Sequence, residues 1–182
     1  MTDENLPPEI QVDPDMLAEI AEQSDRGAAI IAFAFLDDVL TEALQSRLHR
    51  YKHKGEDVSK FMFTGAGPLA TFSARRRLAL MLGIVGPETY DDLERLAQIR
   101  NAFAHTRSRL TFESQRIKNL CEALITPTHG KLFSRYVQSL PESVVSGARL
   151  TYVVTTMFLC GSLRVIAIFG GGPPARKLSP LP

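Results

Sequence analysis

Cysteine is scarce in this chain, with Cys121 and Cys160 alone among 182 residues. Neither takes part in a metal-ligand spacing, and both lie in apolar helical patterns. A disulfide framework is excluded, and the two read as reduced core thiols. An excess of charge is also missing: 21 Lys+Arg face 20 Asp+Glu, for a formal net charge of +1. That balance argues against a dedicated DNA-binding surface, which shows as a basic face or stripe. The first residues are acidic and polar, so no secretory signal is expected. Apolar–polar alternation at a period of two is sustained nowhere and no repeat is visible, which removes the sheet-based classes. Gly65–Ala66–Gly67–Pro68 lacks the lysine and the preceding strand of a phosphate-binding loop and reads as a turn.

What is present is helical periodicity in a chain that is 45% hydrophobic. Pro14–Asp15 starts a short helix through about Glu22. Ser24–Asp25 caps a long one, from Arg26 to about Tyr51, with HRYKHKGED as its charged exit. A third helix spans about Leu69–Ile84 and stops at Gly86–Pro87, and a fourth runs from about Glu88 to Ala104. Ser114 caps a fifth to about Ile125, Pro127–Gly130 is a loop, and a short helix covers about Leu132–Leu140. The expected fold is all-α, a single bundle of about six to seven helices over residues 14–169. Residues 1–13 are expected to be disordered and 170–182 to form a flexible tail.

Leu150–Phe169 is long and apolar enough to cross a membrane. Arg164, Gly161, several Thr and Ser residues and the lack of a preceding basic cluster favour a helix buried in a soluble bundle. No membrane partner is expected.

Three charges point inward from three helices. Asp37 falls within the Phe33–Leu40–Leu44 stripe, Arg75 within Phe72–Leu78–Ala79–Leu82, and Arg100 within Leu93–Leu96–Ala97–Phe103–Ala104. Each buried alone would carry a desolvation penalty of several kcal/mol, so Asp37 is expected to accept from Arg100, Arg75 or both. Five residues along a helix turn a side chain by roughly 140°. His105 therefore leaves the face of Arg100 and is expected at the helix end, bonding the last carbonyls. His49 and His53 have the spacing of a metal pair, but Arg50, Lys52 and Lys54 would repel a cation; no metal and no cofactor is expected.

Three segments, SDRGAAIIAFAFLDDVLTEAL, GAGPLATFSARRRLALMLGIV and YDDLERLAQIRNAFAH, resemble the mannitol operon repressor family of bacterial proteins over about Ser24–Leu124. The resemblance implies an all-helical transcriptional regulator without a helix-turn-helix, acting through protein partners: a DNA-binding regulator or a sugar-uptake component. It carries over Asp37, Asp38, Arg75, Arg100, Asn101 and His105. Asp37, Asp38, Arg75 and Arg100 are read as a structural polar network. The implied setting is cytoplasmic, the implied role non-enzymatic, and a homodimer fits a bundle with an apolar face to share.

A second resemblance supplies the alternative. Arg100, Asn101 and His105 fit the Arg-polar-x-x-x-His spacing of HEPN ribonucleases, in which two such motifs meet across a dimer and cleave RNA without a metal. In that reading the histidine takes the 2′-hydroxyl proton and the arginine stabilises the charge developing on phosphorus. RNA is a partner under this alternative alone.

Overall fold

The computed structural model describes residues 14–48, 52–126 and 147–169. Within them, seven helices and one small hairpin follow in order: α1 (Pro14–Ala21), α2 (Asp25–Arg47), β1 (Lys52–His53), β2 (Glu56–Asp57), α3 (Val58–Phe63), α4 (Phe72–Met81), α5 (Pro87–His105), α6 (Gln115–Glu122) and α7 (Gly147–Phe169). The fold is the all-helical bundle that the sequence implies. The expected segments 1–13, 127–130, 132–140 and 170–182, and His49 of the histidine pair, lie outside the described residues.

Local chemistry sets the boundaries. The Ser24 hydroxyl accepts from the Gly27 amide at 3.2 Å and opens α2. Pro87, behind Gly86, starts α5 where its missing N–H breaks no helical bond. α4 is shorter than the expected 69–84 at both ends. The Leu69 amide donates back to the Met62 carbonyl at 2.8 Å, so the helix waits for Thr71, whose hydroxyl accepts from Ala74. Gly83, at φ +66°, then closes it: Gly83 donates to Leu80 and Ile84 to Ala79, the Schellman pattern.

From Lys52 on, the charged exit after α2 forms a hairpin. Lys52 pairs with Asp57 and His53 with Glu56 across Lys54–Gly55, both at positive φ. Two-residue strands are too short to show alternation. Asp57 then caps α3 by accepting from the Ser59 and Lys60 amides. That helix escapes the sequence reading because it is only 6 residues long. Gly67 packs so closely under the carbonyls of Phe61 and Met62 that a Cβ would collide with both.

The core lies where α7 runs along α2. Small residues Ala28, Ala29 and Ala32 permit the close approach, and the buried Tyr152 hydroxyl donates to the Ala29 carbonyl at 2.9 Å. Rings continue the contact into α5, with Phe112 4.9 Å from Phe103 and 5.4 Å from Tyr152 between centroids. α4 and α5 pack against α2, and α6 lies between α5 and α7. Although α7 has the length and composition of a membrane span, Tyr152–Met157, Leu159–Gly161 and Leu163 are buried inside the bundle, and Ile168 and Phe169 are exposed at its end.

Candidate functional site

Asp37 projects from the middle of α2 toward the start of α4, where Arg75 meets it. Arg75 Nη2 lies 2.6 Å from each carboxylate oxygen, and Nε donates to Oδ1 at 3.1 Å. Arg75 Nη1 donates in addition to the carbonyls of Leu69 at 3.1 Å and Ala70 at 3.3 Å. One guanidinium thus joins α2 to α4 and fixes the turn leading into α4.

Arg100 does not join Asp37, contrary to the four-residue network expected of Asp37, Asp38, Arg75 and Arg100. Its guanidinium carbon sits 4.5 Å above the Phe33 ring centroid. The stripe that buries α5 is Asp92, Leu93, Leu96, Ile99 and Phe103, whereas Ala104 is exposed. Arg100 lies roughly 50° off the centre of that stripe, at the helix flank. An aromatic face therefore receives its charge where a carboxylate was expected. Asp38, one residue on from Asp37, turns to solvent.

The outer face of α5 divides the Arg100–Asn101–His105 motif between two grooves. Arg100 and Asn101 line a cavity of about 310 Å³ between α4 and α5, with Ser73, Arg76, Glu94 and Gln98. Asn101 and His105 line a second, of about 350 Å³, between α5 and α6, with Gln98, Thr106 and Arg116. Gln98 and Asn101 form the ridge between them. His105 is exposed as the last residue of α5. The carbonyls just past the helix, on Thr106 and Ser108, are met by Arg26 of α2 at 2.6 and 3.4 Å. His105 thus stands at the helix end, as expected, and Arg26 rather than His105 donates to the carbonyls of the exit that follows.

Three polar anchors were missed in the sequence. Asp92, fully buried, accepts from the amides of Ile125 and Thr126, from the Thr126 hydroxyl at 2.6 Å and from Arg95 at 3.0 Å. It ties the segment that follows α6 to α5. Its signal was available, since Asp92, Leu96, Ile99 and Phe103 recur at helical spacing. Arg76 is buried beside Arg75; it lies 4.0 Å above the Tyr90 ring centroid and donates to Glu94 at 2.9 Å. Arg149 of α7 donates to Asp25 at 3.2 Å and to the carbonyls of Ile20, Ala21 and Gln23, which gathers the α1–α2 corner.

The interior offers no activated thiol. Burial pushes Cys160 up to about 12, opposed by the charge of Arg164, and burial followed by the charge of Glu122 pushes Cys121 up to about 12. Burial likewise raises Tyr152; Cys121 and Cys160 add to this, and the positive charge of Arg100 opposes it.

The mannitol repressor family model matches residues 16–144. The chain belongs to the mannitol repressor family. No curated protein matches it. Among solved structures, the chain is similar to the Escherichia coli MtlR–HPr complex, with TM-score 0.63 and 19% identity over 83% of this chain and 97% of that one. The possible transcriptional regulator YggD from Shigella flexneri 2a is similar with TM-score 0.59 and 18% identity, over 85% of this chain and 95% of that one. At these identities the likeness is one of fold. The mannitol repressor helices therefore frame the α4–α5–α6 face described above.

Proposed function

We propose that this mannitol repressor family member is a cytoplasmic transcriptional regulator that acts by protein contact, without catalysis and without reading DNA by itself. The carrying observation is the division of the Arg100–Asn101–His105 motif. The arginine rests on Phe33 in one groove and the histidine is exposed in another, so the two do not converge on one phosphate within a chain. What the α5 face does offer is an open polar ridge flanked by Arg76, Arg100 and Arg116, which suits docking. HPr, found in complex with the Escherichia coli relative, is the partner proposed for this chain. A DNA-binding regulator would be the second contact, since the near-neutral charge gives this chain little hold on phosphates.

The ribonuclease alternative requires a homodimer that brings two copies of the motif together. Asn101, which lines both grooves, is the residue that favours it. Calorimetric titration of the full chain with HPr, paired with incubation with single-stranded RNA in chelator, separates the readings. The expected result is saturable HPr binding and intact RNA. Cleavage that is lost in a folded His105→Ala variant overturns the proposal.

A further inference from the structure

Arg100 stands apart from the other inward arginines. Arg75 has Asp37, Arg76 has Glu94, Arg95 has Asp92 and Arg149 has Asp25. Among the described residues no carboxylate pairs with Arg100, although it is half-buried and lines a cavity. Its place is nonetheless fixed: the guanidinium lies over Phe33, and that ring packs against Phe72 at 4.6 Å between centroids. A positioned, unneutralised guanidinium is a ready partner for an oxyanion, because the ordering of its long side chain is already complete.

We propose that the cavity between α4 and α5 is a subsite for one carboxylate, held by Arg100 with Ser73, Gln98 and Asn101 as neutral donors. The charges in the cavity select the class of anion. Arg76 and Glu94 neutralise each other, which leaves the single positive charge of Arg100. A carboxylate balances that charge and matches the guanidinium fork. A phosphate dianion would carry one negative charge more than Arg100 balances, with Arg76 already engaged by Glu94. At about 310 Å³ the space is at the small end of ligand sites and admits a compact acid or one acidic side chain. The side-chain source rests on the protein-contact reading above; the free-acid source does not.

The test is the arginine side-chain ¹⁵N–¹H spectrum of the full chain during titration with acetate, glutarate, inorganic phosphate and chloride at matched ionic strength. Saturable movement of the Arg100 Nε resonance by the carboxylates is expected, with phosphate at least tenfold weaker and chloride without effect. Arg100→Lys, which keeps the charge but loses the fork, should weaken acetate binding at least tenfold in a protein that still melts cooperatively. A response absent for carboxylates, or equal for all the anions, overturns the subsite. HPr titrated into the wild type and into Arg100→Gln then identifies the source. Loss of HPr affinity in the variant, with acetate competing in the wild type, assigns the carboxylate to the partner's side chain; unchanged affinity assigns it to a free acid. Absence of HPr binding to the wild type, with the acetate response intact, removes the partner reading and leaves the subsite standing.

Discussion

Arg75 grips both oxygens of Asp37 across the α2–α4 contact, with Nη2 2.6 Å from each. Its side chain is 9% exposed and that of Asp37 is 27% exposed, so solvent screens the pair weakly. Removing one partner leaves the other charge with little water to replace it. Asp37→Ala and Arg75→Ala should each destabilise the fold by about 3 kcal/mol in urea unfolding. The double variant should lose less than the two single losses together, because each single loss includes the same stranded partner. Fully additive losses would show that the pair is not coupled.

Asp92→Ala should be comparably destabilising, by about 3 kcal/mol, because the amides of Ile125 and Thr126 would lose their acceptor in a buried place. Thermal denaturation beside Asp91→Ala checks this. Asp91 is exposed, so its loss should change stability by less than about 0.5 kcal/mol.

Arg149→Ala should release the α1–α2 corner without melting the bundle. The carbonyls of Ile20, Ala21 and Gln23 lose a shared donor, while the α2–α7 core stays packed. Hydrogen exchange should quicken in 16–27 and remain unchanged in 152–163. Uniform quickening over both segments would contradict this local role.

The two thiols impose a pH dependence. Cys121 and Cys160 have an ordinary value of 9.0 and are held up to about 12 when folded. Above pH 9 the unfolded chain releases these protons and the folded chain keeps them. Their contribution is therefore fully present below about pH 9 and is lost as pH rises toward about 12, so stability falls over that window. Tyr152, raised by burial, acts in the same direction. At pH 8 the native protein should resist a thiol reagent that labels both cysteines in denaturant; rapid native labelling would contradict the burial.

Much of the fold was legible because residues that favour helix starts and long apolar stripes agree. Ser24 and Ser114 each mark a helix start that the structure has, whereas Gly86–Pro87, expected as the stop of the third helix, opens α5. The hairpin and α3 were not, since elements of two and six residues are too short to display a period. In the polar interior the limit was angular. An arginine 50° from the centre of a stripe, on the order of half a residue step, reads as central when Ala97 and Ala104 are counted as core. Counting Ile99 in their place moves the centre toward Asp92. Whether Asp37 meets Arg75 or Arg100 depends on the tertiary placement of α4 and α5 against α2, and helical spacing carries no information on that.

The proposed protein contact of this mannitol repressor family member runs through the ridge of α5. The most direct measurement is the calorimetric affinity for HPr of wild type, Asn101→Glu and Glu42→Arg. Asn101 is exposed on the ridge between the two grooves, and Glu42 is exposed on α2 away from them. Asn101→Glu should bind HPr at least tenfold more weakly, a loss of about 1.4 kcal/mol, and Glu42→Arg should bind it unchanged. Affinity unchanged by Asn101→Glu, or wild type that does not bind HPr, would contradict the proposed contact.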